Sequence, residues 1–325
     1  MEGLLAGLPG AMPVFLAPAP WEDWSLFGEQ IVLGLLTGAL YALVALAIVL
    51  IYRSTDIINF AQSEMAMFGT FAMWSIWLSG VPLFSNPWML LVLAGLFGLG
   101  MGAVVERVVI RPVEGKPVLT IVVVTLGLFL LLNSVATWIW AQGELPKVFP
   151  SPLSVLESIK VGFATIPEHR LLIFAVGAAA MVLLGLLFNY TKLGLAMRAT
   201  AQNPLAAQLM GINVGNMLTV GWALSGALGG IAGALIAPVV TLHPAFMLPV
   251  ILYAFSAAVL GGLNSVPGAV VGGFIIGVGE NLLATYTPRA IFGPEMSLPL
   301  ALMLLVVILL VRPTGLLGER TVRKV

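Results

Sequence analysis

The sequence predicts an all-α, polytopic membrane protein: a helical bundle of about eight to ten spans, N-terminus outside and C-terminus cytoplasmic. Three observations lead there. Hydrophobic residues make up 60% of the chain and charged residues only 9%, against roughly 25% charged in soluble domains. Several apolar runs exceed the roughly 18 residues a helix needs to cross the hydrocarbon core. Basic residues and tryptophans segregate to opposite sides of the resulting arrangement. A net charge of zero argues against nucleic acid as a partner. The absence of cysteine leaves no disulfide and no thiolate chemistry.

Residues 1–29 read as an extracytoplasmic extension. The first twenty lack a basic n-region and carry Pro9, Pro13, Pro18 and Pro20, which favours a surface segment over a cleaved signal peptide. Residues 30–312 form one transmembrane domain, and residues 313–325 a basic cytoplasmic tail.

The first span covers residues 30–52 and ends at Arg53. The second, 57–78, carries Asn59, Gln62, Ser63 and Glu64 in its first half. The third, 87–110, closes on Glu106, Arg107 and Arg111, and a short basic link leads to the fourth, 118–140. A proline-rich polar interval with strand-like surroundings at Val155 and Val161 precedes the fifth span, 170–190. The sixth is 217–238. The seventh and eighth, 246–262 and 268–286, are joined by a tight turn and are short enough to be half-crossings. The last span is 297–311.

On this arrangement Arg53, Arg107, Arg111, Lys116, Lys192, Arg198, Arg312, Arg320, Arg323 and Lys324 share one side, against Lys147, Lys160, Arg170 and Arg289 on the other. The first side is cytoplasmic by the positive-inside rule. Trp21, Trp24, Trp74, Trp77, Trp88, Trp138 and Trp140 fall at the outer side and Trp222 near the inner one, as aromatic belts prefer.

Residues 191–216 interrupt this oily chain with a mildly basic loop. Asn203 suits a helix N-cap, Pro204 the first turn, and Gly211 a left-handed stop. Leu205, Leu209 and Met210 share a face. Such a face suits a cleft on a partner or, alternatively, the membrane surface. Arg198 lies just upstream.

Ionisable groups inside a bilayer are costly and need an explanation. Tyr41, Asn59, Gln62, Ser63 and Glu64, with Glu280 and Asn281 of the eighth span, are candidates to line a solute pathway; the alternative is structural hydrogen bonding. Thr125 and Asn133 are weaker candidates. No basic residue in mid-span pairs obviously with either carboxylate. Gly261, Gly262, Pro267, Gly268, Gly272 and Gly273 mark tight packing and a candidate hinge. Catalytic and nucleotide-binding signatures are missing: no HExxH, no GxxxxGK[ST] and no nucleophile elbow occurs. No cofactor or metal is called for, and an intramembrane enzyme has nothing in the sequence to support it.

Three blocks carry a resemblance. YALVALAIVLIYRSTDIINFAQSEMAMFGTF at 41–71, AAQLMGINVGN within the polar loop, and AFSAAVLGGLNSVPGAVVGGFIIGVGENL at 254–282 resemble permease subunits of branched-chain amino acid ABC importers, in the same order. At 58–64 the chain reads INFAQSE where members of that family often read INFAHGE. The resemblance implies a bacterial inner-membrane permease. Its partners would be a second permease subunit (a second copy or a paralogue), two cytoplasmic ATPase subunits and a periplasmic substrate-binding protein. It also implies that residues 199–211 are the coupling helix that receives force from the ATPases, with alternating access as the mechanism. Urea or short amides stay open as cargo. A secondary transporter or channel working alone is the competing reading.

Overall fold

The computed structural model describes residues 23–55, 57–141, 146–286 and 315–318, with positions 299, 302, 303, 306 and 310. The N-terminal extension up to residue 22 and most of the last span and basic tail lie outside the described residues.

Helix α1 (Trp24–Thr55) is the spine of the bundle, buried along most of its length. Asp23 opens it: its carboxylate accepts hydrogen bonds from Ser25 Oγ (2.6 Å) and from the backbone N–H groups of Ser25 and Leu26. Those bonds, the Ser25 hydroxyl first, hold its pKa below the usual aspartate value. Then follow α2 (Gln62–Leu78), α3 (Pro87–Val105), α4 (Val118–Trp140), α5 (Glu168–Tyr190), α6 (Lys192–Gln202), α7 (Pro204–Leu209), α8 (Val214–Val240), α9 (Leu248–Gly261) and α10 (Val266–Tyr286). Before α5 lies a two-stranded antiparallel hairpin, β1 (Ser158–Val161) and β2 (Ala164–Pro167), whose turn uses Gly162 at φ 62°. Thr165 N–H donates to Glu29 Oε1 and ties the hairpin to α1.

Among the described residues, six helices are long and apolar enough to cross a membrane: α1, α3 with its extension to Val113, α4, α5, α8 and α10. The chain is a multi-pass membrane protein. One span read from the sequence needs correction, and two others are sharpened. The second does not start at residue 57: residues 57–61 are non-helical, and α2 has only 17 residues, about 25 Å at 1.5 Å per residue. Asn59 therefore precedes the helix, and Glu64 stands in its first turn. The seventh is α9 with 14 residues, about 21 Å and short of the roughly 30 Å core. The eighth, α10, has 21 residues and is long and apolar enough to cross.

The helices fall into two halves of the same order. Each opens with a long helix (α1 or α8), breaks, continues with a short helix (α2 or α9), and returns through a longer one (α3 or α10). The halves are interleaved. Helix α1 packs antiparallel on α10, with Gly34 against Gly277 and Val278, and Gly38 against Gly273 and Phe274. Helix α3 packs antiparallel on α8, with Gly98 against Gly226 and Gly102 against Trp222. All four helices place two glycines four residues apart, on one face, where backbones approach closely. Helices α1 and α8 are themselves antiparallel, since Ala47 meets Ser225 and Ser54 meets Gly221. This is the arrangement of an inverted repeat.

Gly261, Gly268 and Gly272 form the close contact of the α9–α10 hairpin, and Gly273 abuts Ala42 of α1. Gly262 ends α9 at φ 103°, and Pro267 lies in the first turn of α10. Their geometry is that of packing and turning. Residues 315–317 dock on the end of α9 through Leu316 N–H to Leu260 O (2.7 Å) and Leu317 N–H to Gly261 O (3.0 Å).

Candidate functional site

The candidate polar residues do not converge on one pathway. They form three groups. The first holds the break before α2. Asn59 Oδ1 accepts from Ala61 N–H (3.0 Å), an Asx turn that stops α1 from running into α2. Asn59 Nδ2 reaches Gln62 Oε1 (3.3 Å), and Gln62 Nε2 donates to Ser225 O (3.1 Å) near the middle of α8. Ser225 Oγ lies 2.8 Å from Ala47 O and 3.1 Å from Gln62 Oε1. With a single proton it donates to one of them at a time. The break is thus held at mid-depth of the bundle, by α1 on one side and α8 on the other.

The second group is Glu64, Asn133 and Pro244. Asn133 Nδ2 donates to Glu64 Oε2 (3.0 Å) and to Pro244 O (3.2 Å), joining α2 and α4 to the chain entering α9. Ser63, next to Glu64, is buried, and its Oγ makes no hydrogen bond.

The third group stands apart. Tyr41 Oη donates to Glu280 Oε2 (2.6 Å), and Tyr253 stacks on Tyr41 with ring centroids 4.9 Å apart. Helical side chains lean toward their own N-terminus, so in the antiparallel pair α1–α10 these two lean toward each other. Tyr41 is thus the hydrogen-bond partner of the Glu280 carboxylate, 239 positions away in the chain and beyond any local signal; among the described residues no ion pair reaches Glu280. Asn281 bonds Gly277 O one turn back (3.0 Å) and joins none of the groups. His169 was also missed as a structural residue: buried, it bridges Ser151 Oγ (2.7 Å) and Leu235 O (2.6 Å).

At the end of α3 a π-helical turn, Glu106–Ile110, brings Glu106 under Arg111. Arg111 Nε and Nη2 each lie 3.1 Å from a Glu106 oxygen, and Nη2 also donates to Gly215 O and Thr219 Oγ1. Thr219 Oγ1 donates to Glu106 Oε2 (2.7 Å). The cluster pins α3 to the start of α8. Arg111→Ala leaves the buried Glu106 carboxylate with Thr219 alone. The expected loss is about 2 kcal/mol, below that of a fully buried pair because the Arg111 side chain is 38% exposed. The thermal midpoint in detergent reads it.

The polar loop is two helices. Residues 199–202 end α6, and Asn203 separates them from α7. Asn203 Oδ1 accepts from Ala206 N–H (3.0 Å), and Pro204 occupies the first turn. Gly211, at φ 84°, closes α7 with Ile212 N–H to Ala207 O and Gly211 N–H to Gln208 O, a Schellman stop. Leu205 is 73%, Leu209 88% and Met210 82% exposed. Arg198 is set apart from them, in a groove against Leu50 and Ser54 of α1.

Two cavities flank the break before α2. One, of about 450 Å³, lies at the end of the bundle bearing α6 and α7 and is lined by Thr55, Ile57, Glu106, Thr200, Gln202 and Trp222, among others. The other, of about 280 Å³, takes the next residues, Ile58, Asn59, Phe60 and Ser63, together with Leu126 and Phe129 of α4 and the first half of α9.

The family profile described as "Branched-chain amino acid transport system / permease component" matches residues 30–310. The chain belongs to this permease family. The permease is 31% identical over 314 residues to the high-affinity branched-chain amino acid transport system permease protein LivH of Escherichia coli K12, covering 94% of this chain and 99% of that protein. It is 32% identical over 309 residues to BraD of Pseudomonas aeruginosa, covering 91% and 97%. It is also 31% identical over 306 residues to a probable LivH of Methanocaldococcus jannaschii, covering 90% and 93%. No solved structure matches. Membership makes the permease a component of a transport system rather than an enzyme, and places it as a multi-pass protein of the inner membrane.

Proposed function

We propose that the permease pairs with a second permease subunit, a copy or a paralogue. Together they form the translocation pathway of a binding-protein-dependent ABC importer for branched-chain or related small neutral amino acids. Two cytoplasmic ATPase subunits drive it by alternating access, and a periplasmic binding protein delivers the substrate. The N-terminus is outside, and α6, α7 and the C-terminus face the cytoplasm. Asn203, Pro204, Leu205, Leu209, Met210 and Gly211 form the coupling element, and Arg198 anchors its upstream flank to α1.

The observation that carries this reading is α7 itself. A six-residue helix is too short to persist alone in water, yet here it is capped at both ends and presents exposed leucines and a methionine. A rigid, small apolar face suits insertion into a cleft on a partner. The chain has no phosphate-binding loop, so energy from ATP would arrive through such a contact. The cavity behind the loop supports the route inward: Thr200 and Gln202 line it together with Thr55 and Ile57, the residues leading into the break.

The test is reconstitution. Proteoliposomes holding the permease pair and ATPases should accumulate leucine only with ATP inside and binding protein outside. Leucine flux through this chain alone, driven by an ion gradient and indifferent to ATP, would replace this reading with that of a secondary transporter.

A further inference from the structure

We propose that the 280 Å³ cavity between the start of α2 and the start of α9 is a transit site for the transported amino acid. It would hold the aliphatic side chain against Ile48, Phe129, Ile251, Leu252 and Phe255, and the carboxylate at Ser63 and the amide end of α2. The inference rests on the importer reading above and adds a place in the bundle to it.

Four observations converge on this cavity. The two short helices occupy corresponding positions in the inverted halves, and both begin at its wall. Discontinuous helices at a repeat interface are where membrane carriers hold solutes. Ser63 is 1% exposed, and its Oγ has no hydrogen-bond partner. Among the described residues neither the N–H nor the C=O of Ile58 finds a partner. Non-helical backbone at membrane depth persists only where protein covers it or where it lines a wetted cavity. Finally, α2 has no side-chain cap; Gln62 N–H donates to Asn59 O (3.4 Å) and Met65 N–H to Ala61 O, which leaves the N–H groups of Ser63 and Glu64 open to an anionic group.

A lipid tail is the competing occupant. It would fill the oily wall but leave Ser63 Oγ and the Ile58 peptide groups unsatisfied, each at a cost. An amino acid with a branched aliphatic side chain answers both parts of the surface: hydrocarbon for the wall and a carboxylate for the donors. Among the described residues no ionised side chain lines the cavity, which suits a solute of zero net charge.

The test uses the assembled importer during ATP-driven turnover with a diazirine analogue of leucine. Photolysis is expected to label residues 58–65 and 248–255, in competition with leucine. Leu252→Trp is expected to cut leucine uptake about tenfold or more, while the ATPase still co-purifies with the permease. Ser63→Ala should lower uptake, and Ser63→Thr should restore it. Label confined to other segments, or unchanged uptake in Leu252→Trp, would overturn the site. So would labelling of these segments by a photoactivatable phospholipid with no competition from leucine. Intact complexes whose wild type carries no leucine would sink the importer reading itself.

Discussion

Gly98→Leu is expected to abolish the folded permease, whereas Gly100→Leu, two residues along the same helix, is expected to leave it intact. A Cβ on Gly98 would fall on the carbonyl of Gly226, while one on Gly100 meets nothing within 4 Å. Overpacking an ordinary core costs about 1–3 kcal/mol because side chains can rotate aside. At Gly98 both surfaces are backbone, so α3 and α8 must separate along their whole seam. The loss should exceed about 3 kcal/mol, out of a total of about 5–15. At Gly100 the exchange of glycine for leucine should be neutral or slightly favourable. Size-exclusion profiles and thermal midpoints of the two variants, extracted side by side, make the comparison. Equal behaviour would mean that the α3–α8 seam does not hold the bundle together.

Leu209→Asp is expected to strip the ATPase from the permease and abolish uptake. The side chain contributes nothing to the permease's own packing, being almost fully exposed, so the thermal midpoint should not move. Burying a leucine in a partner's cleft is worth about 1.5–3 kcal/mol, and placing an unpaired carboxylate there costs several more. Association should therefore weaken by more than about a hundredfold. Leu156→Asp is the control: 96% exposed, it lies in the interval between α4 and the hairpin, at the opposite end of the bundle from α7. Co-purification of ATPase with Leu209→Asp at wild-type levels would remove the docking role.

What could be read from the sequence was what depends on neighbours along the chain. Asn203, Pro204 and Gly211 act within one helical turn of α7, and each sits where its own backbone chemistry puts it. Apolar length made the six long helices legible for the same reason. The break at residues 57–61 escaped because Ile57, Ile58 and Phe60 suit a helix and a buried loop equally. The Asx turn at Asn59 was the available signal, hidden among polar residues already assigned to a pathway. The pairing of Tyr41 with Glu280 spans 239 positions, and only the antiparallel seating of α1 on α10 brings them together. Gly34, Gly38, Gly98 and Gly102 stood in the sequence as spacing without address; which helix each faces is a property of the interleaved halves.

The glycine seams also constrain movement. Where carbonyl meets Cα, two helices cannot slide by a fraction of a turn without collision, so α3 with α8 and α1 with α10 behave as planks. Between the planks, the link through Ala47, Ser225 and Gln62 is of another kind. A single hydroxyl proton has two acceptors there, and trading one for the other leaves the count of bonds unchanged. The alternating access proposed above needs joints that open at little cost beside beams that never do. This bundle keeps the two apart, with its rigid contacts made of glycine and its yielding one of serine.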